Sequence, residues 1–217
     1  MDRAIVVALA GLIGLAWGLA SDRLAARWPA HPEGAIRRVD WRTPLVTIVG
    51  GLAFGATAWR FGEAPLQLAV VGLYVAALVT LFAIDLDQRL LPDVITLPLV
   101  VFALAVFASG ASPYIPGTDE LLFAAVAAVV VPAALFILAI PFGAGAIGQG
   151  DLKLLAGVAL FAGAERLLYG LVVGTFLAGI MIVVLVLARR ITLRSYVPYG
   201  PFLIAGALWA LLGIGGG

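Results

Sequence analysis

The chain has 217 residues, of which 64% are hydrophobic and only 12% charged, with a mean hydropathy of +1.16. A soluble domain is about half apolar and a quarter charged, so this is an integral membrane protein, expected to form one polytopic domain over residues 1–217. A net charge of +1 without a long basic block gives no reason to expect a nucleic-acid partner. The absence of Cys excludes disulfides, thiol nucleophiles and Cys-based zinc sites, and a single histidine, His31, excludes the two-histidine zinc protease motif. A serine triad would have to recruit that same His31 from the polar first loop, so carboxylates are the hydrolytic groups that remain.

The apolar runs predict an all-α bundle of about eight transmembrane helices. The first is expected over residues 4–20, near the length of about 20 residues that a span needs, with Gly14 and Gly18 as ordinary close-packing positions. Residues 21–44 form the one long polar segment, a solvated cytoplasmic loop with a short interfacial helix near Arg23 to Trp28. The second helix is expected over 45–59, where Gly51 and Gly55 repeat the packing spacing, and the third over 66–84, delivering Asp85. Pro92 and Asp93 mark a turn before a fourth helix at 94–108. A Pro- and Gly-rich loop leads to a fifth at 119–140, in which Pro132 is a potential kink. The sixth, from Asp151 to Gly163, is short for a span; a seventh follows at 167–188, a basic connector with Arg189, Arg190 and Arg194, and an eighth at 199–214.

With the N-terminus outside, Arg23, Arg27, Arg37, Arg38, Arg42, Arg89, Lys153, Arg189, Arg190 and Arg194 all fall on one side, and only Arg3, Arg60 and Arg166 on the other. The basic side is cytoplasmic by the positive-inside rule. That predicts a multi-pass protein of the inner (plasma) membrane with Asp85 and Asp151 both at its cytoplasmic face.

Carboxylates at the border of hydrocarbon persist only if paired, hydrated or used. Two stretches carry them, Asp85-Leu86-Asp87-Gln88-Arg89-Leu90-Leu91-Pro92-Asp93 and Gly148-Gln149-Gly150-Asp151-Leu152-Lys153. Two carboxyl groups sharing one proton can hydrolyse a peptide bond without metal or covalent intermediate, one as base and the other as acid. No cofactor and no metal are therefore expected. Asp151 opens a helix, whose positive end favours its charged form, and Asp85 closes one, which assigns the shared proton to Asp85. Gly148 and Gly150 permit unusual backbone angles and close approach of an extended substrate; a plain glycine-rich connector is an equal alternative. Gly143 to Gly148 also match GxGxxG, but no strand precedes them and dinucleotide binding is rejected. Asp87, two residues after Asp85, is expected to point away from it, Asp93 to cap the next helix, and Arg89 and Lys153 to pair with lipid phosphates by default, or else with these acids.

At these stretches the chain resembles the type IV prepilin peptidases, bacterial GxGD-type intramembrane aspartyl proteases. Asp85, Pro92 and Asp93 with Thr96-Leu97-Pro98 match the first family motif, Gly148, Gly150, Asp151 and Lys153 the second, and Tyr199-Gly200-Pro201-Phe202-Leu203 the segment opening the last helix. The resemblance implies that Asp85 and Asp151 are catalytic and cleave the leader of prepilins or pseudopilins, typically after glycine, serving type IV pili or type II secretion. It departs in the first loop, which lacks the family's zinc-binding cysteine insertion, and at Gly18-Leu19-Ala20-Ser21-Asp22 and Pro44-Leu45-Val46-Thr47, where the family's usual residues are replaced. Loss or reduction of the family's S-adenosylmethionine-dependent N-methylation is therefore expected. An ion-coupled transporter, which would place acids at the bilayer centre in related halves, and a noncatalytic pilin-assembly protein are the rival readings.

Overall fold

A computed structural model describes residues 2–29, 36–142, 147–190 and 199–213. The described residues form seven α-helices and no strand: α1 (Arg3–Ala25), α2 (Arg42–Phe61), α3 (Pro65–Gln88), α4 (Asp93–Ala108), α5 (Thr118–Ala139), α6 (Gln149–Leu187) and α7 (Gly200–Leu212), with a single 3-10 turn after α5. Inside hydrocarbon every backbone donor and acceptor has to be satisfied within its own segment, which is why so apolar a chain is helical throughout. Five helices, α1, α2, α3, α5 and α6, are long and apolar enough to cross a membrane.

The centre of the bundle is α3. From Leu78 to Asp85 every residue is buried, as expected of a helix surrounded on all sides. Around it α1 and α2 pack as one pair and α6 and α7 as another, each drawn together by small residues. A Cβ on Gly14 would stand 2.6 Å from Phe54 Cβ and 2.9 Å from the carbonyl carbon of Gly50, and one on Gly206 2.8 Å from the backbone nitrogen of Gly174. Lipid tails are as apolar as the side chains, so such close backbone packing, rather than hydrophobic driving force, holds the pairs. Gly55, expected to share this role, meets α1 only at ordinary contact distance; Gly50 takes its place.

Two of the expected helices adjoin within α6, meeting without a loop at Gly163, whose φ of 86° and ψ of 167° are non-helical and suited to glycine. In a straight helix Asp151 and Gly174 would stand about 35 Å apart, yet Asp151 lies beside Gly200 and Gly174 beside Phe202, both in the first turn of α7. The chain therefore turns back at Gly163. Ser112 Oγ donates to the Phe161 carbonyl freed at the break, 2.6 Å away, and Phe161 stacks on Tyr74 of α3 with ring centroids 3.9 Å apart.

Several boundaries differ from the sequence reading. α1 runs on to Ala25 and absorbs the expected interfacial helix, and α2 begins at Arg42, so the described polar connector is 26–29 and 36–41. The charges at these helix ends are partnered, Asp22 with Arg23 and Arg42 with Asp87. α3 likewise continues to Gln88, placing Asp85 inside its last turn. His31, Glu33, Gly143, Gly145 and Arg194 lie outside the described residues.

The alternation puts Arg23, Arg27, Arg37, Arg38, Arg42, Arg89, Lys153, Arg189 and Arg190 at the end of the bundle where α3 finishes and α6 begins. Arg3, Arg60 and Arg166 gather at the other, Arg3 against Trp59 and the other two about the ring of Tyr114.

Candidate active site

Asp85 is brought to the site by the end of α3. The helix closes on Arg89, which adopts the left-handed conformation (φ 57°, ψ 39°) and donates its N–H to the Asp85 carbonyl. Pro92 follows as the extended residue preceding α4, and its carbonyl accepts the N–H groups of Ile95 and Thr96. Asp85 is 4% exposed, and its Oδ2 has no hydrogen-bond partner.

Asp151 sits in the first turn of α6 and accepts the backbone N–H of Gly148. Between the two acids stands Gly200, the first residue of α7. A Cβ built there would lie 2.8 Å from Cγ of Asp85 and 3.1 Å from Oδ1 of Asp151. The ends of three helices thus converge, and both carboxylates face one backbone carbon. Gly200 was readable only as part of a motif; its burden is spatial, and no local pattern in the sequence reveals it.

The glycines of the second stretch have duties other than those expected. Gly148 has ordinary extended angles (φ −69°, ψ 139°), so backbone freedom does not explain it; a side chain there would approach Asp151 Oδ2 to 3.2 Å. Gly150 faces no open groove. Its missing Cβ is replaced by Leu91, whose own Cβ would stand 2.6 Å away, so the connector between α3 and α4 lies directly on the first turn of α6.

Asp87 does turn away from Asp85. It lies 2.9 Å from Arg37 Nε and 2.5 Å from Arg42 Nη1. Arg37 also pairs with Asp22 and, at 2.6 Å, with Asp40, while Asp22 accepts Arg23 and the Thr43 hydroxyl. Burial disfavours the charge on Arg37, but the Asp22, Asp87 and Asp40 carboxylates outweigh it and hold its pKa above the usual arginine value. Gln88 Nε2 donates to the Ala25 and Pro29 carbonyls at 2.9 and 2.8 Å. The described part of the first polar segment, expected to be solvated, is therefore tied to the end of α3. Read one at a time its arginines look like surface charge; only the fold supplies the acids they meet.

Lys153 takes the alternative of its two expected partners. Instead of facing lipid phosphate, its Nζ pairs with Asp93 Oδ1 at 2.6 Å, tying the first turn of α6 to that of α4. Asp93 is the first residue of α4 rather than its cap, a place taken by Pro92. No group of three or more His, Cys, Asp or Glu side chains among the described residues is placed to hold a metal ion.

Known proteins resemble this arrangement in sequence. Prepilin leader peptidase/N-methyltransferases from Pseudomonas putida (32% identical over 178 residues, 82% of this chain and 61% of the relative), Dickeya chrysanthemi (34% over 188 residues, 82% and 62%) and Neisseria gonorrhoeae (29% over 171 residues, 76% and 56%) are similar to it. The chain spans about three fifths of the length of these relatives. No solved structure matches. A model of the type IV leader peptidase family matches residues 72–187, a stretch that contains Asp85, Asp151 and the connectors that brace them. The chain belongs to the type IV leader peptidase family.

Proposed function

We propose that the protein is an intramembrane aspartyl endopeptidase that removes the leader of prepilins or pseudopilins at the cytoplasmic face of the inner membrane. The observation that carries this reading is the convergence of Asp85 and Asp151, both in the family-matched region, on Gly200 of α7.

Two carboxyl groups at such proximity cannot both ionise at little cost, so the pair holds one proton. The positive end of α6 favours charge on Asp151, and the negative end of α3 favours the proton on Asp85. Asp151 accepts a proton from water as its oxygen attacks the scissile carbonyl carbon, and Asp85 donates its proton to the carbonyl oxygen. Collapse of the resulting tetrahedral diol breaks the C–N bond, with the proton on Asp151 passing to the leaving amine and one diol proton returning to Asp85. The Asp85 Oδ2 without an internal partner is the oxygen suited to that donation.

The basic end of the bundle supports a cytoplasmic site. The substrate's apolar helix stays in the bilayer while its leader crosses the site. In detergent, cleavage of a synthetic peptide with a basic leader, a glycine and an apolar segment, read by product mass, tests the reading. Asp85→Asn and Asp151→Asn are expected to abolish product, while Asp87→Asn retains measurable cleavage at a reduced rate. Persistent cleavage by either of the first two variants refutes the dyad.

A further inference from the structure

Each carboxylate of the pair is followed two residues later by a charged side chain that another element holds. Asp87 follows Asp85 and pairs with Arg37 and Arg42; Lys153 follows Asp151 and pairs with Asp93. Two residues along an α-helix amount to a rotation of about 200°, so each ion pair lies on the far side of its helix from the carboxylate that faces the site. A helix held at that point cannot rotate about its own axis without breaking the pair.

Core packing along Leu78 to Asp85 and the Gly148 N–H on Asp151 also bear on these rotations, but the ion pairs act on the very turns that carry the two acids. Asp85 Oδ2 has no partner to orient it, α3 closes on a backbone hydrogen bond alone, and α6 starts at Gly148 without a side-chain cap. The connectors show the same bracing: Leu91 rests on Gly150, and Gln88 grips the carbonyls of Ala25 and Pro29. Neither a buried pair, whose desolvation offsets its attraction, nor an exposed one, which solvent screens, adds much net stability, so their presence here is better explained by the geometry they impose.

We infer that the Arg37–Asp87 and Asp93–Lys153 pairs are positioning pairs, which set the rotation of α3 and α6 so that Asp85 and Asp151 face one another; this rests on the dyad reading above. The two differ in grade. Asp87 and Arg37 have side chains 1% and 12% exposed, whereas Lys153 and Asp93 are 30% and 59% exposed. The first pair is shielded from water and salt and the second is screened, so the α3 anchor is the stiffer.

The test uses the full chain in detergent with the same synthetic leader peptide. Lys153→Gln and Asp93→Asn are each expected to lower kcat about tenfold with KM unchanged, because misorientation of the reacting groups, not binding, is lost. The double variant is no slower than the slower single, and the exchange Lys153→Asp with Asp93→Lys recovers most of the rate. Arg37→Gln lowers kcat further, about a hundredfold. Should Arg37→Gln fail to fold, the exposed pair decides alone, since its substitutions leave the buried network intact. Wild-type kcat in Lys153→Gln and Asp93→Asn, a loss confined to KM, or no recovery in the exchange overturns the inference. Asp85→Asn and Asp151→Asn, run in parallel, separate the two failures: if they are dead while the pair variants are fully active, the positioning role alone falls, and if they cut, the dyad falls with it.

Discussion

At the scale of single residues, the site depends on one that carries no functional group. A methyl at position 200 would have to occupy the space between Asp85 Cγ and Asp151 Oδ1, at 2.8 and 3.1 Å from them. Gly200→Ala is therefore expected to reduce cleavage by about a hundredfold or more by forcing the carboxylates apart, with the protein still eluting as a folded species on size exclusion; wild-type rate would show that the helices shift at no cost. Arg89 makes the opposite case. It sits at φ 57° where glycine is at ease, so Arg89→Gly should stabilise the protein by about 0.5–1 kcal/mol, seen as a raised melting temperature in detergent. The two acids were legible because a carboxylate inside an apolar run is conspicuous. Gly200, Arg37 and Asp22 were not, because glycine and loop charges are common and their meaning lies in what faces them.

At the scale of elements, the break in α6 determines whether its first turn and the start of α7 meet. Gly163 holds φ 86° and ψ 167°, a region that side-chain-bearing residues rarely enter. Gly163→Ala should cost about 1–3 kcal/mol, read by thermal unfolding in detergent, whereas Gly179→Ala, on the same helix with nothing within 4 Å of the added methyl, should be neutral or stabilising by up to about 1 kcal/mol. Equal responses would mean that the break is not what glycine is needed for. The sequence placed a helix end at Gly163 and a new helix from 167, and the structure has that end, with the two helices meeting directly at the glycine. The reversal at that joint follows from packing: Tyr74 stacks on Phe161 before the break, and Gly206 and Phe202 receive Gly170 and Gly174 after it.

At the scale of the whole molecule, the natural absence of cysteine makes the orientation directly measurable. Single cysteines at Arg27 and Pro113, at opposite ends of the bundle, should react with a membrane-impermeant thiol reagent only from the cytoplasmic and the external side respectively; the reverse pattern would invert the topology. A pair of carboxyl groups sharing one proton also predicts a bell-shaped dependence of kcat on pH. Acid fills the base on Asp151 and alkali empties the acid on Asp85, so the rate falls on both sides, and a single-sided profile would argue against the shared proton. With S-adenosylmethionine added, the cleaved peptide is expected to keep an unmethylated N-terminus, as its mass would show. A mass higher by one methyl group would place this chain with the two activities in its relatives' names.

What the sequence determined by itself was the solvent and therefore the class of fold: so apolar a chain has to satisfy its backbone internally, and helices follow. Its charge asymmetry and its two acidic stretches likewise follow from composition along the chain. Tertiary structure alone decided which acid faces which. Rotation of each helix about its axis is set by contacts made at long range, between the Leu91 connector and Gly150, between Arg37 and Asp87, between Lys153 and Asp93, and at Gly200. No periodicity records such contacts, because their energy belongs to pairs of residues far apart in the chain.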